Sequence, residues 1–354
     1  MEEKRRYHID ILRLLACFAV IINHFDPGFL AFNTQPEGSL SYWCLLFLSV
    51  FCKFAVPLFF MISGALLLRK TESINQIITK RTSKVLLSLI TTSVFYYFFE
   101  KYVIARDDYA VSMVYTNEAE YHLWYLYAYI TFLCSLPFLR SIAKEINSEK
   151  IFFLAVIYFL LRYFVPLFEL LLFNNQYHLN THLSGAFICT YLFFLPILGF
   201  YIENKMDMER VSLGKLSFLW ISNVLLLLLA AYATSLVNAN GANIVKQTYI
   251  GCFSSITAFV LYTTIKKLLR IKSCKSKHTK KIILSLSSCT FGIYLIHLLP
   301  MRLLNTNPEF VAFYNSKGPI LMVILWFALS VITFALSYII VWVLRKIPII
   351  REVF

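Results

Sequence analysis

Asp10-Ile-Leu-Arg13-Leu-Leu-Ala-Cys17-Phe-Ala-Val20-Ile-Ile-Asn-His24 is the stretch whose reading decides the fold. Apart from three ionisable side chains and Asn23 it is hydrocarbon and small residues, the composition of a helix that crosses a bilayer. Wound as a helix, the step from Arg13 to His24 turns through about 1100°, about 20° past three full turns. Guanidinium and imidazole therefore share one face, separated by about 16 Å along the axis. Asp10, Cys17 and Val20 fall on the same side, so one polar stripe runs through an otherwise apolar segment.

The rest of the chain agrees with a membrane setting. Of 354 residues, 59% are hydrophobic and only 15% charged, and the mean hydropathy is +0.69. That combination excludes a soluble globular domain and indicates a polytopic membrane protein. The net charge of +14 sits in short segments between apolar runs, where it signals topology; it does not point to nucleic acid. The eight cysteines form no C-x-x-C pair. Cys17, Cys44, Cys52, Cys134, Cys189, Cys252 and Cys289 lie within or beside apolar runs and read as small buried hydrophobes, neither disulfides nor metal ligands. Lys4-Arg5-Arg6 precedes the first run with no small-residue cleavage site after it, so that run is expected to stay as a signal anchor.

Apolar runs long enough to cross about 30 Å of hydrocarbon predict helices at roughly 9–29, 43–68, 83–104, 122–139, 151–173, 185–202, 214–237, 247–269, 282–304 and 318–344. The expectation is an all-α bundle of about ten transmembrane helices forming one domain, 1–354, in the cytoplasmic membrane. The loops support an even count. Lys and Arg concentrate in the segments around Arg6, Arg69–Lys84, Arg140–Lys150, Lys205–Lys215, Arg270–Lys281 and Arg345–Arg351, whereas the alternate segments hold only Arg106, Lys246 and Lys317. By the positive-inside rule both termini are expected to be cytoplasmic.

An ionisable group at mid-membrane costs about 2.5–3.5 kcal/mol on insertion scales, so each needs a partner or a task. Lys53 either pairs with an acid such as Glu100 or Glu169 or faces a hydrated cavity. Glu100 and Arg302 are placed to snorkel to the outer interface, and Arg162 and Glu169 to bridge neighbouring helices. Tyr294 and His297, three apart, share a helix face, and His297 reads equally as a packing residue or a site residue. Periodicity leaves His24 similarly divided between an interface histidine and a functional one.

Four stretches together resemble the acyltransferase-3 family of integral membrane acyltransferases. Arg13 and His24 match its Arg-x10-His signature. Val56-Pro-Leu-Phe-Phe-Met-Ile-Ser63-Gly64 resembles its second helix, Tyr121-His122-Leu-Trp124-Tyr-Leu-Tyr127 its fourth, and Phe291-Gly-Ile-Tyr294-Leu-Ile-His297 its ninth. The motifs occur in the family's order across nearly the whole chain. Their wording is most similar to the enterobacterial common antigen O-acetyltransferase group. One departure stands out: where many members carry Arg-x-x-Arg, this chain has Arg81-Thr-Ser-Lys84, which keeps the charge and loses one planar fork.

The resemblance implies O-acyl transfer, with acetyl the expected group, from cytoplasmic acyl-coenzyme A to a hydroxyl of a cell-surface or lipid-linked glycan. It implies no permanently bound cofactor and no metal, since acetyl-coenzyme A is the donor substrate. It places the donor phosphates among Arg69, Lys70, Arg81 and Lys84. His24 becomes the general base or the bearer of an acyl-histidine, with Arg13 beside it and Asp10 holding Arg13. His122, Trp124, Lys53, Tyr294 and His297 are the candidate acceptor contacts, although Trp124 also suits an aromatic belt. Two other classes compete: a flippase or transporter for a lipid-linked sugar, which would show inverted halves that are not evident here, and a membrane sensor or recruiting module.

Overall fold

The computed structural model describes residues 6–25, 32, 35–105, 117–173, 176–185, 190–239, 253–271 and 276–354. Among these residues every regular element is helical. Helix α1 (Tyr7–Phe25) is followed by α2 (Leu40–Cys52) and α3 (Ala55–Leu67), which together make one span. Then come α4 (Ile74–Tyr102), α5 (Tyr121–Glu145), α6 (Ser148–Phe173), α7 (Tyr191–Asn204), α8 (Leu213–Ala239), α9 (Ser254–Ile271), α10 (Lys277–Ser288), α11 (Thr290–Asn305), α12 (Pro308–Asn315) and α13 (Pro319–Leu344).

Helix occurs at each of the ten expected positions, but fewer of these helices qualify as spans. Among the described residues seven are long and apolar enough to cross a membrane, or eight if α10 and α11, bent by 45°, form one broken span. The chain is thus a multi-pass membrane protein. Helix α7 has 14 residues, and its stretch Phe193–Phe200 is wholly buried, which makes it a core helix inside the bundle. Helix α9 carries Lys266, Lys267 and Arg270 in its last turns. Residues 186–189 and 247–252 of the segments expected at 185–202 and 247–269, among them Cys189 and Cys252, lie outside the described residues, as do Lys246 and Arg106.

Helix α1 occupies the centre, packing against α2, α3, α9, α10, α11 and α13. The most extensive contact joins α3 to α7. It depends on two glycines: a Cβ at Gly64 would overlap the Pro196 backbone, and one at Gly199 the Met61 carbonyl. Small residues at such crossings let helix backbones approach closely in a bilayer, where apolar burial gives helices little reason to associate. The second span breaks at Lys53 because Pro57 has no N–H to close the ladder back to it. The Asn23 amide of α1 donates to the carbonyl of Cys52 at 2.7 Å, satisfying a group beside that break.

Candidate active site

A cavity of about 520 Å³ opens between the early turns of α4 and the junction of α10 with α11. Arg13 of α1, Lys80, Arg81 and Lys84 of α4, and Arg345 just beyond α13 all line it, and among the described residues no Asp or Glu does. Its inner wall is apolar and aromatic: Phe59, Ile62 and Ser63 from α3, Tyr125 and Tyr129 from α5, Phe291 and Tyr294 from α11. Arg13 sits six residues into α1, about 9 Å from its start. Its guanidinium is one-third exposed and lies 3.8 Å from the buried Asp10 carboxylate, which also accepts a 2.7 Å bond from Ser287.

The cationic rim is braced from outside the cavity. Glu72 accepts two bonds from Arg81, at 2.9 and 2.5 Å, and one from Arg140 at 2.8 Å. Arg140 of α5 also donates to the carbonyls of Leu67 and Glu72, fastening the α3–α4 turn. The hydrogen bonds from Arg81 are the main reason the Glu72 carboxyl falls to about 2; those from Arg140 add to them, and burial works in the opposite direction. Arg81 lies in a single π-helical turn, Ile78–Thr82, a distortion that recurs at functional sites. Of the four expected donor-binding cations, Arg81 and Lys84 line the cavity, whereas Arg69 and Lys70 belong to the fastened turn and do not. Burial lowers the pKa of Lys70, with Arg81 adding to the effect. Lys80 and Arg345 take their places on the rim.

The cavity stops at Tyr125 and Tyr294, whose rings meet at 5.5 Å. Behind them stand three histidines. The His122 ring is 5.5 Å from Tyr294 and 5.1 Å from His297, and His24 is stacked on His297 at 4.7 Å. His24 Nδ1 lies 2.5 Å from His297 Nε2, and His297 Nδ1 lies 2.7 Å from the carbonyl of Tyr294. His122 Nε2 lies 3.2 Å from the carbonyl of Leu295, and the Tyr294 hydroxyl donates to the His122 carbonyl. Helix α11 is interrupted at His297, three residues before Pro300, whose missing N–H leaves the Ile296 carbonyl without its helical partner. Arg13 therefore lines the cavity and His24 does not: two tyrosines separate them.

Several expected placements change accordingly. His122 and His297 are fully enclosed in this cluster, not exposed along a groove. Trp124 is half-buried against Tyr125 and Tyr191. Lys53 caps the break of the second span within electrostatic reach of His24. Glu100, wholly buried, lies 3.3 Å from Arg302, and Glu169 accepts from the backbone of Leu179 beside His178. Arg302 does not snorkel; it forks onto Glu120 at 2.9 and 2.5 Å, next to Tyr121, whose ring meets His24 edge-on at 5.2 Å.

Among the described residues no group of histidine, cysteine and carboxylate side chains has the arrangement of a metal site. The arrangement instead suits an anionic ligand entering a cationic mouth toward an aromatic wall backed by imidazoles. The family model described as the acyltransferase domain, the acyltransferase-3 type, matches residues 6–342. No curated protein and no solved structure matches the chain.

Proposed function

The chain belongs to the acyltransferase-3 family of membrane acyltransferases, and from that premise we propose that it moves an acetyl group from acetyl-coenzyme A to a hydroxyl of a surface or lipid-linked glycan. The observation that carries the reading is the cavity: five cations and, among the described residues, no Asp or Glu along its lining, with a histidine cluster behind its aromatic wall. A cleft lined by one sign of charge raises the local concentration of a ligand of the other sign. The phosphates of coenzyme A are such a ligand, and the pantetheine arm is long and thin enough to run past Arg13. In this reading the cationic mouth is the cytoplasmic one, which the distribution of Lys and Arg supports.

His24 is the proposed base. Its neutral imidazole takes the proton of the sugar hydroxyl while the hydroxyl oxygen attacks the thioester carbonyl. The new C–O bond forms, the C–S bond breaks, and the departing coenzyme A thiolate recovers the proton from His24. Arg13, steadied by Asp10, holds the arm of the donor near the wall. Tyr125 and Tyr294 must part for the carbonyl to reach the imidazole, which keeps water from the thioester until an acceptor is in place.

Purified full-length protein supplied with acetyl-coenzyme A and extracted membrane glycolipid is expected to release thiol, with little release when the glycolipid is omitted. His24→Ala should lower that release by about 10²–10⁴-fold, the usual share of a general base, while the variant elutes as a folded monodisperse protein. Wild-type release from the alanine variant would refute the assignment.

A further inference from the structure

The histidine cluster carries more than a candidate base. His297, expected among the acceptor contacts, is completely buried, is absent from the cavity lining, and touches His24 with one ring nitrogen and the backbone with the other. A carbonyl oxygen only accepts, so the Tyr294 carbonyl requires the proton of His297 on Nδ1. In the neutral ring Nε2 then has a lone pair and no hydrogen. Its neighbour at 2.5 Å, His24 Nδ1, must be the donor, which leaves the lone pair of His24 on Nε2. The second histidine repeats the device: the Leu295 carbonyl takes the proton of His122 Nε2. Two adjacent carbonyls of one turn of α11 thus orient two imidazoles, and one of them orients a third.

We infer that His297 is a positioning residue that holds His24 in the Nδ1–H tautomer, making Nε2 the atom that takes the acceptor's proton. The inference rests on the reading of His24 as the base. An imidazole free in water favours the opposite tautomer, with hydrogen on Nε2, so the chain has a use for a group that reverses it. Tautomer control of this kind is worth much in catalysis: in the serine protease triad the wrong tautomer costs about 10⁴ in kcat. Here the control passes through a backbone carbonyl and an imidazole in place of a carboxylate, which adds no buried charge.

The test has two readouts on the full-length protein. Nitrogen-15 spectra of histidine-labelled protein, with the His24 signals assigned by their loss in His24→Gln, report which ring nitrogen bears hydrogen in the resting state. The wild type should show a protonated Nδ1 and a bare Nε2 at His24, and His297→Leu should move hydrogen toward Nε2. In thiol release from acetyl-coenzyme A, His297→Leu should lower kcat by about 10²-fold and leave the donor KM within about twofold. His297→Gln, whose amide oxygen can accept from His24 Nδ1, should recover most of the loss, which a merely space-filling role would not allow. A wild-type His24 protonated on Nε2, or no rescue by glutamine, overturns the inference. If leucine prevents folding, the wild-type spectrum and the glutamine variant decide. Full activity in His24→Ala would instead defeat the reading of His24 as the base and leave the measured tautomer standing.

Discussion

The cavity and the histidine cluster lie on two sides of the same pair of tyrosines, yet they are built in opposite ways. The cavity presents full charges to an open space, and one of its cations, Arg81, is held by another side chain, Glu72. The cluster encloses His122 and His297 completely and ties each to a backbone carbonyl of α11. Charge acts over distance and tolerates loose geometry, whereas a proton transfer needs atoms placed to within a fraction of an ångström. On the proposed function, the difference corresponds to recognition of the donor in the first region and chemistry in the second.

The largest effect should come from breaking both regions together. Alanine at Gly199 drives a Cβ into the Met61 carbonyl, so α3, which carries Ile62 and Ser63 of the cavity wall, must move away from α7. Overpacking of this kind costs about 1–3 kcal/mol, and more where backbone is struck. A thermal midpoint lower by about 5 °C or more is expected, with loss of both donor binding and turnover. An unchanged midpoint would mean that this crossing does not hold the two regions in register.

Separating the regions should show as a split in kinetic constants. Arg81→Ala removes a rim charge and its planar fork, and should raise the KM for acetyl-coenzyme A about tenfold with kcat nearly unchanged, an effect that added salt diminishes. Tyr294→Phe keeps the wall and deletes the hydroxyl that donates to the His122 carbonyl. It should lower kcat several-fold, in keeping with about 1 kcal/mol for one buried hydrogen bond, and leave KM alone. A common change in KM from both variants would erase the distinction.

Much of this division was legible in the sequence, and what was not legible is non-local. The stripe through Asp10, Arg13 and His24 follows from helical period alone, and the helix that carries it packs at the centre of the bundle. Hydropathy located the helices but could not tell a span from a buried core helix such as α7, since both are apolar; only packing against α3 separates them. The bend at Cys289 and the charges at the end of α9 likewise reduce the count of simple spans. The motifs pointed to Arg81, Lys84 and Tyr294, which line the cavity. Lys80 shares the side of Lys84 at i, i+4 and could have been added from spacing. Arg345 could not, because only the fold brings the end of α13 to the end of α10, where Arg345 donates to Ser288. The enclosure of His297 was equally hidden: spacing placed it with Tyr294, correctly, but not behind it.

The smallest expected effect concerns the tuning of the rim. Glu72 has a carboxyl held near 2, below its ordinary 4.5, chiefly by its hydrogen bonds from Arg81. A carboxyl depressed by folding contributes stability that is complete above the unfolded value and is lost as pH falls toward the folded one. The difference in thermal midpoint between wild type and Glu72→Gln should therefore stay level from pH 8 to about 5, shrink from there downward, and vanish near pH 2. Since the pair is partly exposed, the difference should remain small, about 1 kcal/mol or less, and fall with salt. The same change releases Arg81 from a neutralising partner, so the KM for acetyl-coenzyme A should drop about twofold at neutral pH while kcat, set behind the tyrosines, does not respond. A response of kcat would show that the rim reaches the histidines through more than donor binding, and the two regions would have to be treated as one.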